Sequence, residues 1–231
     1  MKRLATGLAA LLLAAPLLGA TCALAAPTGT ELFFGTPYLS RVQPGTKIAY
    51  DYKHMASEAK LGESFDEKME LNVTAPPEDA SKRVAAVDIR RGERHTEAGP
   101  FPTMNGNPIS LVLLERDVKE MAQLTKGSPF YIRNRVRDTI ASGTVEAATF
   151  DYAGKPVEGW RLTMAPFVND PNKDKLLELA GRRYEFLFSD AVPGGLYAIR
   201  VVTPKADGKS NIIETSLTLT GASVPAPAAA Q

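Results

Sequence analysis

The sequence predicts an α+β domain: a curved, mostly antiparallel sheet, or half-open barrel, wrapped around a helical hairpin. Three observations carry that expectation. Both flanks of the chain alternate apolar and polar residues with a period of two, as strands with one wet face do. Between Asn107 and Ser142 the period changes to three and four. Each helical stretch there has a single apolar stripe, which suits it to cover the dry face of a sheet.

The N-terminus comes first. Met1-Lys2-Arg3 precedes an apolar run from Leu8 to Leu18, and Ala23-Leu24-Ala25 follows. This is the charged start, apolar middle and small-residue cleavage site of a secretory signal. The run is too short and too alanine-rich for a membrane span, which needs about 20 apolar residues. Cleavage is therefore expected after Ala25, with a periplasmic product that has no transmembrane segment. Gly19-Ala20-Thr21-Cys22 departs from a lipoprotein signal, with Gly where Leu belongs and Thr beside the cysteine. Cleavage at Ala25 removes the one cysteine, so the mature chain is expected to be held by its core without a disulfide. The removed segment includes two of the 27 basic residues and none of the 26 acidic ones, leaving 206 residues with a formal charge of −1. That length suits one domain, and that balance offers no electrostatic footprint for nucleic acid.

The elements follow in order. Residues 26–46, rich in Pro and Gly, read as an irregular lead-in with an apolar contact at Leu32-Phe33-Phe34. A first strand covers Lys47 to Lys53, with Ile48, Tyr50 and Tyr52 on one face. A second runs from Phe65 to Val73, with Met69, Leu71 and Val73 inward, and Ala75-Pro76-Pro77 breaks it. A third spans 83–91, and Gly92 turns into a short fourth at 93–96. Asn107-Pro108 reads as a cap followed by proline at the first helical position. Leu111, Leu114, Val118 and Met121 form the stripe of this helix, with Glu115–Lys119 and Arg116–Glu120 paired on its wet side. Ser128-Pro129 opens a second helix with Ile132, Val136 and Ile140 buried, and Gly143 closes it. Strands 144–152 and 157–164 flank a loop at Ala153–Pro156, with Trp160, Leu162 and Met164 on one face. Asp170-Pro171 caps a short helix carrying Leu176, Leu177 and Leu179. A hairpin at 184–188 and 196–202, a last strand at 211–219 and a disordered tail from 222 complete the chain. The single domain is expected to span 47–221.

Little in this sequence advertises catalysis. The two histidines, His54 and His95, lack the companions of a metal site. No Gly-x-Ser-x-Gly elbow occurs, and Ser110 and Ser128 stand at helix starts, where capping explains them. No phosphate-loop lysine follows Gly194-Gly195. No cofactor and no enzymatic activity are expected. The unusual stretch is Tyr131–Arg137, where Arg133 and Arg137 stack one turn apart. It reads either as a site for an anionic group or as a solvated face paired with neighbours such as Asp138.

The element order over residues 47–219, with the secretory start, resembles the periplasmic lipoprotein-localisation superfamily, the LolA/LolB-type half-barrels. The stretch from Gly106-Asn107-Pro108 to Arg137 is similar to secreted proteobacterial proteins of no assigned function. No residue motif carries either resemblance, so no functional residue is transferred. The half-barrel resemblance implies an apolar ligand held between sheet and helices, and a fold analogy alone warrants no more. The expectation is a non-enzymatic periplasmic binding or carrier protein for a lipid-like ligand. Tyr50, Tyr52, Met69, Leu71, Trp160 and Met164 would line the pocket, with Arg133 and Arg137 at its mouth. Two alternatives stand beside it: an envelope interaction protein with an envelope partner and a filled core, and a hydrolase without a recognisable motif. An apolar cavity favours the first reading, a packed interior the second, and a cleft of convergent titratable groups the third.

Overall fold

The computed structural model describes residues 25–76, 78–104 and 106–225. The signal sequence up to Leu24, with Cys22, and residues 226–231 of the tail lie outside them. Among the described residues nine strands form one antiparallel sheet: β1 (Lys47–Ala56), β2 (Phe65–Thr74), β3 (Val84–Arg91), β4 (Arg94–Pro102), β5 (Thr144–Tyr152), β6 (Lys155–Met164), β7 (Arg183–Phe188), β8 (Leu196–Pro204) and β9 (Asn211–Ser223). Their order is β4-β3-β2-β1-β9-β8-β7-β6-β5, so β1 joins the two halves through β9, and the end strands leave the barrel open. Helices α1 (Pro108–Thr125) and α2 (Pro129–Ser142) form the hairpin that packs on the concave face. Among the described residues no helix is long and apolar enough to cross a membrane.

The inner face follows from the alternation. Ile48, Tyr50 and Tyr52 on β1, Met69, Leu71 and Val73 on β2, and Tyr184, Phe186 and Phe188 on β7 are buried in one core. The hairpin is tied to that face at its start. Asn107 caps α1 by accepting the Ile109 N–H at 3.0 Å, while its Nδ2 donates to Gly194 O at 2.9 Å and to the Tyr50 hydroxyl at 3.2 Å. Gly194 allows this approach: its φ is +71°, and a Cβ there would sit 2.9 Å from Ile48 Cδ1 and 3.1 Å from Asn107 Nδ2.

Several elements differ from the sequence reading. β4 is nine residues long, because pairing with β3 continues past the charged start of the strand to Pro102. The β5–β6 turn shrinks to Ala153-Gly154, with φ of 53° and 75°, the twist that a two-residue hairpin turn requires. β6 accordingly begins at Lys155 rather than 157. Helix α3 (Lys173–Leu176) is a single turn that starts after Asp170, whose Oδ1 accepts the Asn172 N–H at 2.7 Å, and Leu177 beyond it points outward at 71% exposure. In α1 the stripe rotates. Ile109, Leu113, Leu114, Val118 and Met121 are buried, whereas Leu111 is 40% exposed. The lead-in is not irregular throughout: a helical turn at Glu31–Gly35 enters the core, Leu32, Phe33 and Leu39 are buried, and the Phe33 ring meets Phe186 edge-on at 4.8 Å.

Candidate functional site

The hairpin covers the centre of the sheet and stops short of its β4 edge. The inward positions of β4 include Thr96 and Ala98, which are too short to reach the helices. A groove of about 740 Å³ remains between α1, α2 and the β3–β4 edge. Leu111, Leu114 and Val118 from α1 and Val136 and Ile140 from α2 form its walls, with Ile89 and Ala98 beneath and Phe101 alongside. This accounts for the exposure of Leu111, whose side chain borders the groove. The volume falls within the usual range for small-ligand pockets, about 300–1,000 Å³.

The rim is basic, with Arg116, Lys119, Arg133 and Arg137 against Glu67 and Glu115. Arg133 grips Glu115 with two parallel bonds, 2.9 Å from Nε and 2.8 Å from Nη2, and this hydrogen bonding holds the Glu115 carboxyl below its ordinary pKa. Arg137 is 65% exposed, with Asp138 at 3.3 Å. Arg116 donates to Glu67 at 2.6 Å and lies over the Tyr52 ring at 4.7 Å. The expected pairs within α1 are thus replaced by pairs between elements. A fork-shaped guanidinium gains more from a fixed partner across a gap than from a mobile neighbour one turn along.

A second cavity, of about 510 Å³, opens beside the other end of α1 and is more polar than the groove, although Leu61, Phe65 and Leu124 also line it. His54 on β1, only 5% exposed, approaches Thr215 Oγ1 through Nδ1 at 3.0 Å and Glu120 Oε1 through Nε2 at 3.3 Å. Burial lowers the His54 pKa, against the pull of Glu120. Behind it lies Arg182, 0% exposed, which bonds Asp117 at 2.7 Å and Glu120 at 2.5 Å. Burial works against the Arg182 charge, yet the facing carboxylates of Asp117 and Glu120 lift its pKa above the ordinary value. The Tyr184 hydroxyl donates to Asp117 at 2.5 Å. Burial pushes Asp117 up and Tyr52 up to about 12. Among the described residues, no group of three or more His, Cys, Asp or Glu side chains could hold a metal.

The residues singled out from the sequence divide. Arg133 and Arg137 come together on the apolar groove. Tyr52 borders the polar cavity. Tyr50, Met69 and Leu71 are packed in the core beside neither of these two cavities, and the Tyr50 hydroxyl is tied to Leu196 O at 3.2 Å. Met164 is buried and Trp160 half-buried on β6, which β9, β8 and β7 separate from β1. The β1–β2 aromatics and the β6 residues therefore belong to different parts of the core. Sequence reasoning missed Ala98, Leu111 and Val112 of the groove and the Asp117–Arg182 cluster. A signal existed for the cluster, because Arg182 continues the inward parity of Tyr184, Phe186 and Phe188.

No family model matches the chain, and no curated protein matches it. Among solved structures, the chain is similar to the crystal structure of Mycobacterium tuberculosis lipoprotein LppX, with 11% identity over 82% of this chain and 91% of that one and a TM-score of 0.33. A likeness of that degree says nothing of ligand or activity.

Proposed function

We propose that the protein is a non-enzymatic periplasmic carrier or binding protein for a lipid-like ligand, whose apolar chain lies in the groove between the helical hairpin and the β3–β4 edge. The groove itself carries this reading: about 740 Å³ of space with leucine, valine and isoleucine walls under a rim of cations. Apolar side chains at such positions normally fill a core; here small residues on β4 leave the space open. The rim cations, Arg116, Lys119, Arg133 and Arg137, favour an amphiphile with an anionic end over a hydrocarbon. The secretory signal in the sequence supports the location, and intact mass of protein from its native host, beginning at Ala26, would test it. A fluorescent fatty acid should bind, and Ala98→Trp, which narrows the groove, should weaken binding without loss of fold. Arg133→Ala weakens binding only if that arginine meets the anionic end. Absence of fatty-acid binding, or binding unchanged in Ala98→Trp, would leave an envelope interaction protein as the better reading.

The row of Thr215, His54 and Glu120 supports a second reading, a hydrolase, since it sets a hydroxyl, an imidazole and a carboxylate in line. Acyl transfer also needs donors for the oxyanion. Thr215 lies within β9 between β1 and β8, paired with His54 and Val201, so the strand's N–H groups belong to the sheet ladder. Turnover of p-nitrophenyl palmitate that is lost in Thr215→Val would favour the hydrolase.

A further inference from the structure

The apolar groove and the polar cavity are neighbours along α1, and two side chains line both: Arg116 and Lys119. Both are cations, and three residues apart on a helix they share a face. On one side of them the walls are apolar. On the other stand His54, Glu120, Gln123 and Thr215, whose hydrogen-bonding groups are set among Leu61, Phe65 and Leu124. We propose that the two cavities form one bipartite site for a phosphate-bearing amphiphile: acyl chain in the groove, phosphodiester at Arg116 and Lys119, and hydroxyl-rich head group in the cavity beside His54. The proposal rests on the carrier reading and names its ligand class.

Charge supports the assignment. Glu67 is shared between Arg116 and Arg91, which donates from Nε at 2.9 Å. Asp117 and Glu120 are both held by Arg182. Lys119 has no carboxylate within ion-pair distance among the described residues. Of the two cations at the junction, Lys119 is therefore the one left to meet an added anion such as a phosphodiester. Arg116 is also held in place, paired to Glu67 and laid over the Tyr52 ring, so little freedom is lost when it meets an anion. At the opposite end of the groove Arg133 commits both Nε and Nη2 to Glu115, whereas Arg116 commits only Nη1 to Glu67, and Arg137 stands in solvent. The polar cavity, at about 510 Å³, is roomier than a bare carboxylate needs, and its lining suits hydroxyls.

Three probes with the same sixteen-carbon chain test this by calorimetry below their micelle concentrations: lysophosphatidylglycerol, palmitate and an uncharged alkyl maltoside. Lysophosphatidylglycerol should bind about tenfold tighter than either of the others, the ratio that one charge-assisted hydrogen bond supports. Gln123→Trp, which obstructs the polar cavity, should remove that preference and leave palmitate within about twofold, whereas Lys119→Ala should weaken both anionic probes and leave the maltoside within about twofold. Both positions are exposed, so neither variant should disturb the fold. Arg137→Ala should leave the preference intact. Equal binding of lysophosphatidylglycerol and palmitate, or a preference that survives Gln123→Trp, overturns the bipartite site while the carrier reading stands. A maltoside as tight as lysophosphatidylglycerol removes the phosphate contact and overturns it too. Failure of all three probes to bind overturns the carrier reading and the inference together.

Discussion

Replacing Arg182 by methionine takes away the cation at the centre of the polar end of the barrel. Its guanidinium is fully buried and bonds two carboxylates. Breaking a buried pair by removing one partner costs about 3–5 kcal/mol, because a charge is left without compensation. Here two features reduce the cost. Glu120 is 23% exposed and can turn toward water, and Arg182 Nε and Nη1, which have no hydrogen-bond partner, leave with the arginine. The expected loss is therefore near the lower bound, about 3 kcal/mol at pH 7. For a domain of this size that lowers Tm by about 6–12 °C. The pH dependence gives the sharper result. Without Arg182 the Asp117 carboxyl is pushed further above its ordinary pKa, since burial already raises it. A carboxyl whose folded pKa exceeds its unfolded one favours folding while protonated, and that contribution is lost as pH rises through the folded pKa. The deficit of Arg182→Met against wild type should thus shrink on going from pH 7 toward pH 4.5. Adding Asp117→Asn and Glu120→Gln, which remove the orphaned charges, should recover most of the loss at pH 7. Urea titrations at both pH values decide it. A loss below about 1 kcal/mol, as for exposed pairs, or a deficit independent of pH, would mean that the cluster is solvated and the argument fails.

Three further outcomes follow from the packing. Val118→Asp should cost about 3–5 kcal/mol, since it buries an unpaired charge, whereas Lys119→Asp on the exposed side should cost under about 1 kcal/mol; equal urea midpoints would place the helix face wrongly. Asn107→Ala removes the α1 cap and the ties to Gly194 and Tyr50, and should cost about 2–3 kcal/mol; a change under about 0.5 kcal/mol would show that the cap is replaced by water. The lowered pKa of His54 means that the unfolded chain takes up a proton near pH 6.5 that the folded chain refuses. That share of stability is intact above pH 6.5 and is lost as pH falls through the folded pKa. His54→Gln should therefore flatten the dependence of the urea midpoint on pH between about 7 and 5, and identical slopes would place the imidazole in water.

The strands and the hairpin were legible because one physical rule governs each. A half-wet strand must alternate, and Ile48-Ala49-Tyr50-Asp51-Tyr52 does. A helix start leaves N–H groups that need a cap, and Asn107-Pro108 and Ser128-Pro129 supply it. The same rules, applied without regard to polarity, reach the buried cluster. His54 continues the parity of Tyr50 and Tyr52, Arg182 that of Tyr184 and Phe186, and Asp117 lies between Leu113 and Met121 on the buried face of α1. What concealed them is that a charged side chain at an inward position reads as a surface residue until its partner is known. The partners lie far apart: 62 residues separate Arg182 from Glu120, and 49 separate Arg116 from Glu67.

The groove was illegible for a different reason. It consists of space, and the sequence records side chains. Leu111 has the spacing and chemistry of a core residue, yet it is 40% exposed on a groove that it shares with the small Thr96 and Ala98 of β4. A bulkier pair there would close the distance and bury Leu111, converting the groove into core. The local chemistry of α1 is therefore compatible with a carrier and with a filled barrel, and two small residues on an edge strand separate the two. This places the decisive substitution at Ala98 rather than at any aromatic of β1. Ala98→Trp in the apo protein should raise the midpoint, by covering Leu111 and Val112, at the same time as it weakens ligand binding. If it destabilises the apo protein by more than about 1–3 kcal/mol, the cost of overpacking a filled site, the space is not there to be filled, and the carrier reading loses its basis.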